Sequence, residues 1–208
     1  VFDKADLSNT SFKNANIDGA RFVFANLSNS NLLNRIDLSN INLATRDLSN
    51  MNLQGKNLTG TMLVRADLTG SILTGADLST ANLTYANLTN ANLTGTNLSD
   101  TILFRTNLSG MDLRPITLTN ADFRFAVLSG SILPDSILVN NDFEYTIFNG
   151  VDLSGKDLSY SKFQYADFDN TNLENADLTG AFLVQVDFTK IKNRSEEHTS
   201  ELQSRAYI

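Results

Sequence analysis

Leucine returns at every fifth position along most of this chain. Between Thr80 and Asp100 it falls at 83, 88, 93 and 98, each time preceded by Asn, and the Asn by a small residue. No regular element has that period: a helix repeats at about 3.6 residues and a strand at about 2. In an extended segment alternate side chains face opposite ways, so the small residue and the Leu share one face while the Asn or Asp takes the other. An odd period would turn the next Leu to the wrong side. The chain must therefore bend within each quintet, and the two residues after the Leu are the place for it. Calling each such Leu, or the Phe or Ile that replaces it, a centre, thirty-eight centres run from Phe2 to Phe188.

The glycines fit this bend. All eleven lie two residues after a centre, and Asn or Asp often takes the same slot, as at Asn40, Asn50, Asn90, Asp100, Asn120, Asn140 and Asn170. These residues tolerate the positive φ that a type II turn requires. A second period lies above the first. Phe123, Phe143 and Phe163 are twenty apart, as are Phe148, Phe168 and Phe188. Four quintets then make one coil, and sorting the turn slots by side separates them. Three sides mostly carry Gly, Asn or Asp. The fourth carries Lys4, Phe24, Thr45, Arg65, Tyr85, Arg105, Phe125, Tyr145, Tyr165 and Gln185, with no Gly. Bulky residues avoid positive φ, so a different turn type is expected on that side. Leu32 is followed by Leu38, one residue late, and the stretch "LLNRID" is read as a bulge at a corner. About nine and a half coils at 4.7–4.9 Å predict a rod of roughly 45 Å with the centres inside, each buried Leu or Phe contributing about 1.5–3 kcal/mol.

The quintets "ADLTG" (66–70), "ADLST" (76–80), "ANLTY" (81–85) and "ADLTG" (176–180) resemble the pentapeptide-repeat family, and the likeness runs from residue 1 to about 191. It implies an all-β fold, a right-handed quadrilateral β-helix of four quintets per coil and about nine coils. One domain is expected over residues 1–193. Beyond it, "RSEEHTSELQS" (Arg194–Ser204) reads codon by codon like a translated sequencing-library adapter, so residues 194–208 are taken as a non-native tail. Val1 is not Met and Phe2 is already a centre, so the chain is expected to be truncated at both ends. A cytoplasmic location is favoured.

Charge and composition narrow the chemistry. The formal charge is −7, and −6 without the tail, where Glu196, Glu197 and Glu201 face Arg194 and Arg205. That sign argues against direct nucleic-acid binding, which needs a basic stripe. No apolar run is long enough for a membrane span. There is no Cys, and the single His, His198, lies in the tail. Ser-His, Cys-His and His-ligated metal sites are therefore not expected, nor any catalytic residue, metal or cofactor. Columns such as Asp157/Asp177 and Asp167/Asp187 point outward and read as a solvated face. Arg46, Lys56 and Lys156 stand in the small inward slot, where their stems are expected to snorkel out at a corner. Asn141, in the same slot, is expected to bond to a neighbouring coil.

One column stands apart. Arg65, Tyr85, Arg105, Phe125, Tyr145 and Tyr165 stack along the fourth side, with Val23, Val64, Phe104, Arg124 and Val184 in the adjoining slot. Tyr, Phe and Arg are enriched at interfaces, which makes this the candidate interaction face. The plainer reading is a ladder of Arg over Tyr. The function expected is a non-catalytic structural or protein-interaction repeat protein, with a protein partner or self-association. The resemblance supplies an alternative: the quinolone-resistance members are dimeric rods whose acidic surface imitates DNA and occupies DNA gyrase. This chain is similar in coil and sign but has no projecting loop or dimerisation helix. A further alternative is a surface- or ice-binding solenoid, for which the ranks of Ser and Thr are too mixed.

Overall fold

The computed structural model describes residues 1–27, 30–134, 139 and 141–192. The expected centre Leu138, the turn residue Asn140 and the tail 194–208 lie outside the described residues. Within them the chain closes on itself by parallel bridges, one residue long and twenty residues apart, or twenty-one where Arg21 pairs with Asn42 across the slipped register. Asp67 pairs with Asn87, Asn87 with Asn107, Asn107 with Val127, Val127 with Ile147, and Ile147 with Asp167. Each bridge is bracketed by two ladder bonds. Leu68 donates its N–H to Asn87 O at 2.8 Å, and Asn87 donates to Ala66 O at 3.1 Å. The pairing stops after one residue because the chain then turns. Ser71 N–H donates to Leu68 O at 3.0 Å, closing a four-residue turn whose third residue, Gly70, has φ +65°. Positive φ at that position alone is the mark of a type II turn.

On the fourth side the expectation was wrong. Lys4, Phe24, Thr45, Arg65, Tyr85, Arg105, Phe125, Tyr145, Tyr165 and Gln185 all have φ between +55° and +61°, the conformation the glycines adopt elsewhere. The ladder dictates it. Tyr85 N–H reaches Phe104 O at 2.9 Å and Ala86 N–H closes the turn on Leu83 O at 2.8 Å, as on every other side. These bonds fix the backbone, and the side chain must accept a left-handed conformation that disfavours it by about 1–2 kcal/mol.

The interior is a set of columns. Leu63, Leu83 and Leu103 are fully buried, and Phe143, Phe163 and Phe168 are enclosed with them. Phe123, Phe143 and Phe163 stack at 5.2 and 5.3 Å between ring centroids, and Phe148, Phe168 and Phe188 at 5.0 and 5.8 Å. Where Thr takes the small inward slot its hydroxyl mostly reaches the centre carbonyl of the previous coil: Thr106 to Leu83 O at 2.8 Å, Thr146 to Phe123 O at 2.7 Å, Thr171 to Phe148 O at 2.9 Å; Thr101 instead reaches Leu98 O of its own coil at 2.6 Å. A buried hydroxyl is thus satisfied by an acceptor the repeat supplies at every coil. Ser71 Oγ is buried with no partner among the described residues.

The slipped register is absorbed by a single 3₁₀ turn, Leu32–Asn34, closed by Arg35 N–H on Leu32 O at 3.1 Å, rather than by a strand bulge. Leu32 keeps its place in the core while Ile36 is pushed into solvent. The inward cations behave differently from the expected snorkelling. Lys56 is 8% exposed, and its ammonium donates to Arg35 O at 2.8 Å. Arg46 donates to Ala25 O, and Lys156 to Pro134 O at 3.4 Å. Arg35 in turn donates to Phe12 O at 2.7 Å and Ala15 O at 2.9 Å. These side chains bond backbone carbonyls one coil back, near the slip and before residues 135–138. Burial holds the Lys56 ammonium below its ordinary pKa, as desolvation of a charge must. Asn141 meets the next coil through its backbone N–H, which donates to Ser161 Oγ at 3.1 Å.

Candidate functional site

The left-handed backbone at the fourth corner aims each side chain outward, and the parallel bridges set equivalent residues one coil apart. The six residues singled out from sequence therefore come together as one continuous stack. The Arg65 guanidinium lies 5.3 Å from the Tyr85 ring centroid. Arg105 sits between Tyr85, at 5.5 Å, and Phe125, at 4.8 Å. Phe125 stacks on Tyr145 at 4.4 Å and Tyr145 on Tyr165 at 4.6 Å, both pairs within 6° of parallel. Phe104 joins from the adjoining slot, 5.1 Å from Phe125, and Arg124 lies 5.9 Å from Phe104. Tyr85, Tyr145 and Tyr165 stay 42%, 40% and 49% exposed. The Tyr85 ring has an arginine on either face and the Tyr145 ring an aromatic ring on either face, so their edges and hydroxyls are what meet solvent.

The arginines divide into two kinds. Arg124 grips Asp122 through two bonds, Nε to Oδ1 at 2.9 Å and Nη2 to Oδ2 at 2.7 Å, and that pair holds the guanidinium pKa above its usual range. Arg21 and Arg114 likewise have carboxylate partners, Asp3 and Asp112. Arg65 and Arg105 touch only rings: among the described residues neither guanidinium has a hydrogen bond or an ion pair.

The acidic columns have a local task. Nearly every outward Asp or Asn accepts a hydrogen bond from the backbone N–H two residues on, bracing the start of the turn; Asn31, at the slip, accepts from Phe12 N–H at 2.6 Å instead. Asp77 accepts from Ser79 at 3.0 Å, Asp157 from Ser159 at 3.0 Å and Asp177 from Thr179 at 2.8 Å. Donors to the charged form lower a carboxyl pKa. The N–H of Ser79 depresses that of Asp77, and the Thr179 hydroxyl and N–H that of Asp177. Arg114 holds the Asp112 carboxyl at about 2. Many hydroxyls in the following slot are spent on the same acceptors, such as Thr69 on Asp67 at 2.5 Å and Thr89 on Asn87 at 2.7 Å. No three His, Cys, Asp or Glu side chains among the described residues are placed to hold a metal. Nor is any helix there long and apolar enough to cross a membrane.

Sequence reasoning passed over two exposed aromatics. Tyr160 is 60% exposed and Phe182 54%. Tyr160 occupies a slot that on its own side otherwise favours Asn, Gly or Asp, which was the available signal. Its ring lies over Gly180, where an added Cβ would come within 2.7 Å of it.

A profile for pentapeptide repeats matches the chain in eight copies, over residues 1–32, 47–79, 81–115, 116–155 and 157–190. The chain belongs to the pentapeptide-repeat family. Its β-helical solenoid is the fold expected of such repeats. A search of curated proteins finds no significant match. Among solved structures it is similar to HetL, a pentapeptide repeat protein involved in heterocyst differentiation regulation from the cyanobacterium Nostoc sp. strain PCC 7120. That likeness is 26% identity over 90% of this chain and 86% of HetL, with a TM-score of 0.41. It is also similar to QnrB1, a plasmid-mediated fluoroquinolone resistance protein, at 18% identity over 98% of this chain and 97% of that one, with a TM-score of 0.37. The family assignment rests on the repeats, not on these loose superpositions.

Proposed function

We propose that this chain is a non-catalytic interaction scaffold: a right-handed quadrilateral β-helix of about nine coils that meets a protein partner through the corner of Arg65, Tyr85, Arg105, Phe125, Tyr145 and Tyr165. The supporting observation is that these large amphipathic side chains stay half-exposed on a rigid support. Side chains already ordered in a stack lose little entropy on binding. The other corners carry mostly Gly, Asn and Asp, with little area to bury. The ice-binding alternative is weakened by hydroxyls committed to Asx acceptors. The acidic DNA-mimic reading makes the opposite forecast, contact through the Asp-bearing sides, weakening steeply with salt.

A gyrase supercoiling assay together with partner capture separates them. Wild type is compared with Tyr145→Ala/Tyr165→Ala and with a variant in which Asp157, Asp167, Asp177 and Asp187 become Asn. The proposal expects capture lost in the Tyr variant and kept in the Asn variant. Gyrase inhibition abolished only in the Asn variant would replace it with DNA mimicry.

A further inference from the structure

Two guanidiniums on the same corner have no acceptor among the described residues. Arg65 and Arg105 lie on either side of the Tyr85 ring, at 5.3 and 5.5 Å from its centroid, and both are exposed. The other arginines among the described residues bond carboxylates or backbone carbonyls: Arg21, Arg114 and Arg124 the former, Arg35 and Arg46 the latter. An Arg fork carries five donors suited to a planar carboxylate held at two points. Stacking on Tyr85 holds both forks in place with those donors free.

We propose that Arg65, Tyr85 and Arg105 form a receptor for two carboxylates of an acidic helix in a partner protein, an inference that rests on the corner being the interaction face. Spacing selects the helix. The two forks are two coils apart, roughly 10 Å. Same-face side chains of an extended strand recur at about 6.7 or 13.4 Å and miss that distance. Residues i and i+7 of a helix are about 10.5 Å apart and match it. One turn of that helix, about 5.4 Å, also runs nearly in step with the coils, at about 4.8 Å, so apolar positions between the acids fall against the edges of Tyr85 and Phe104. Ring edges carry the positive end of the aromatic quadrupole and add to the attraction for carboxylates. Charge along the rod favours a short acidic segment over a long polyanion. Residues 1–65 hold seven basic and five acidic side chains, residues 66–193 seven basic and fifteen acidic. A nucleic acid continuing past Arg105 would run beside the acidic part, and at the forks themselves the Tyr85 ring is already covered by Arg65 and Arg105, leaving it no face on which to stack a base.

The test is titration of the full chain with a capped, Ala-rich helical peptide carrying Glu at i and i+7, and with its Glu→Gln counterpart. Titration with an oligothymidylate forms a third arm. Arg65→Lys/Arg105→Lys keeps the charge and removes the fork. The proposal expects saturable binding of the Glu peptide, at least tenfold weaker for the Gln peptide and at least tenfold weaker for the Lys variant, with circular dichroism unchanged. Equal binding of Glu and Gln peptides, indifference to the Lys substitutions, or no binding at millimolar peptide overturns it. So does arginine-dependent binding of the oligothymidylate alone. Partner capture by the Tyr145→Ala/Tyr165→Ala variant is scored in parallel. If the peptide arms fail while capture still depends on the tyrosines, the acidic-helix inference falls and the interaction corner stands.

Discussion

The aromatic corner and the glycine corners share one backbone and reach it by different routes. At Gly60 an added Cβ would come within 2.5 Å of Asn40 Oδ1 in the coil before it, an exposed side chain that would have to swing aside. At Gly55 nothing lies within 4 Å, and glycine serves only the positive φ of +63°. The fourth corner takes the same φ with Arg, Tyr and Phe, against an intrinsic preference of about 1–2 kcal/mol per residue. Stacking there returns about 0.5–1.5 kcal/mol per aromatic pair, and each cation over a ring about 0.5–1. The two sides of that balance are close. The ladder therefore explains how the corner tolerates bulky residues, and it leaves the two open arginine forks outside the explanation.

The largest effect that would sharpen the contrast is at the crowded glycine. Gly60→Val adds a branched Cβ against Asn40 at unfavourable φ and is expected to lower stability by about 2–3 kcal/mol, against about 1–2 for Gly55→Val, in chemical denaturation. Equal losses would mean that φ alone, and not the covering Asn, selects glycine.

Next in size is the stack. Replacing Tyr145 and Tyr165 with Ala singly and together should yield a coupling energy of about 0.5–1.5 kcal/mol in a double-mutant cycle. A value near zero would make the 4.6 Å stack energetically idle. Tyr145→Gly should be less damaging than Tyr145→Ala by about 0.4–1 kcal/mol, because Gly relieves the left-handed strain that Ala keeps. The reverse order would place the strain elsewhere.

Acid should act mainly on the Asp-braced turns. Carboxyls whose folded pKa lies below the unfolded value contribute stability that is present above the unfolded pKa and lost as pH falls through the folded one. For Asp112 that window runs from the ordinary 3.8 down to about 2. Melting temperature should hold through pH 5 and decline below about pH 4. Asp112→Asn should flatten part of that decline. A fall centred near pH 6 would contradict the assignment. Smallest of all, Ser71→Ala should be neutral, since the buried hydroxyl it removes has no partner among the described residues.

Much of this was legible in the sequence because the repeat makes every residue's environment periodic. The inside columns, the twenty-residue stacking of Phe143 on Phe163 and the contact of Arg65 with Tyr85 all follow from slot and spacing. The turn at Tyr85 was misread because propensity was weighed alone, while the bonds from Tyr85 and Ala86 to carbonyls overrode it. At Leu32–Asn34 one extra residue admits several local solutions, and packing of Leu32 chose the 3₁₀ turn. The destinations of Arg46 and Lys56 depended on carbonyls one coil back, which no pattern around those residues discloses. The open forks of Arg65 and Arg105 were hidden for a similar reason, since partners must be known for every arginine before two can be seen to lack them.

The most direct measurement takes unfolding free energy and partner capture side by side for Tyr145→Gly/Tyr165→Gly. Gly restores the turn's preferred backbone while deleting the exposed rings, so it separates a corner kept for binding from one kept for stability. The account predicts stability within about 1 kcal/mol of wild type and capture abolished. Capture retained, with stability lowered by about 2 kcal/mol or more, would show the column to be a structural ladder and nothing else.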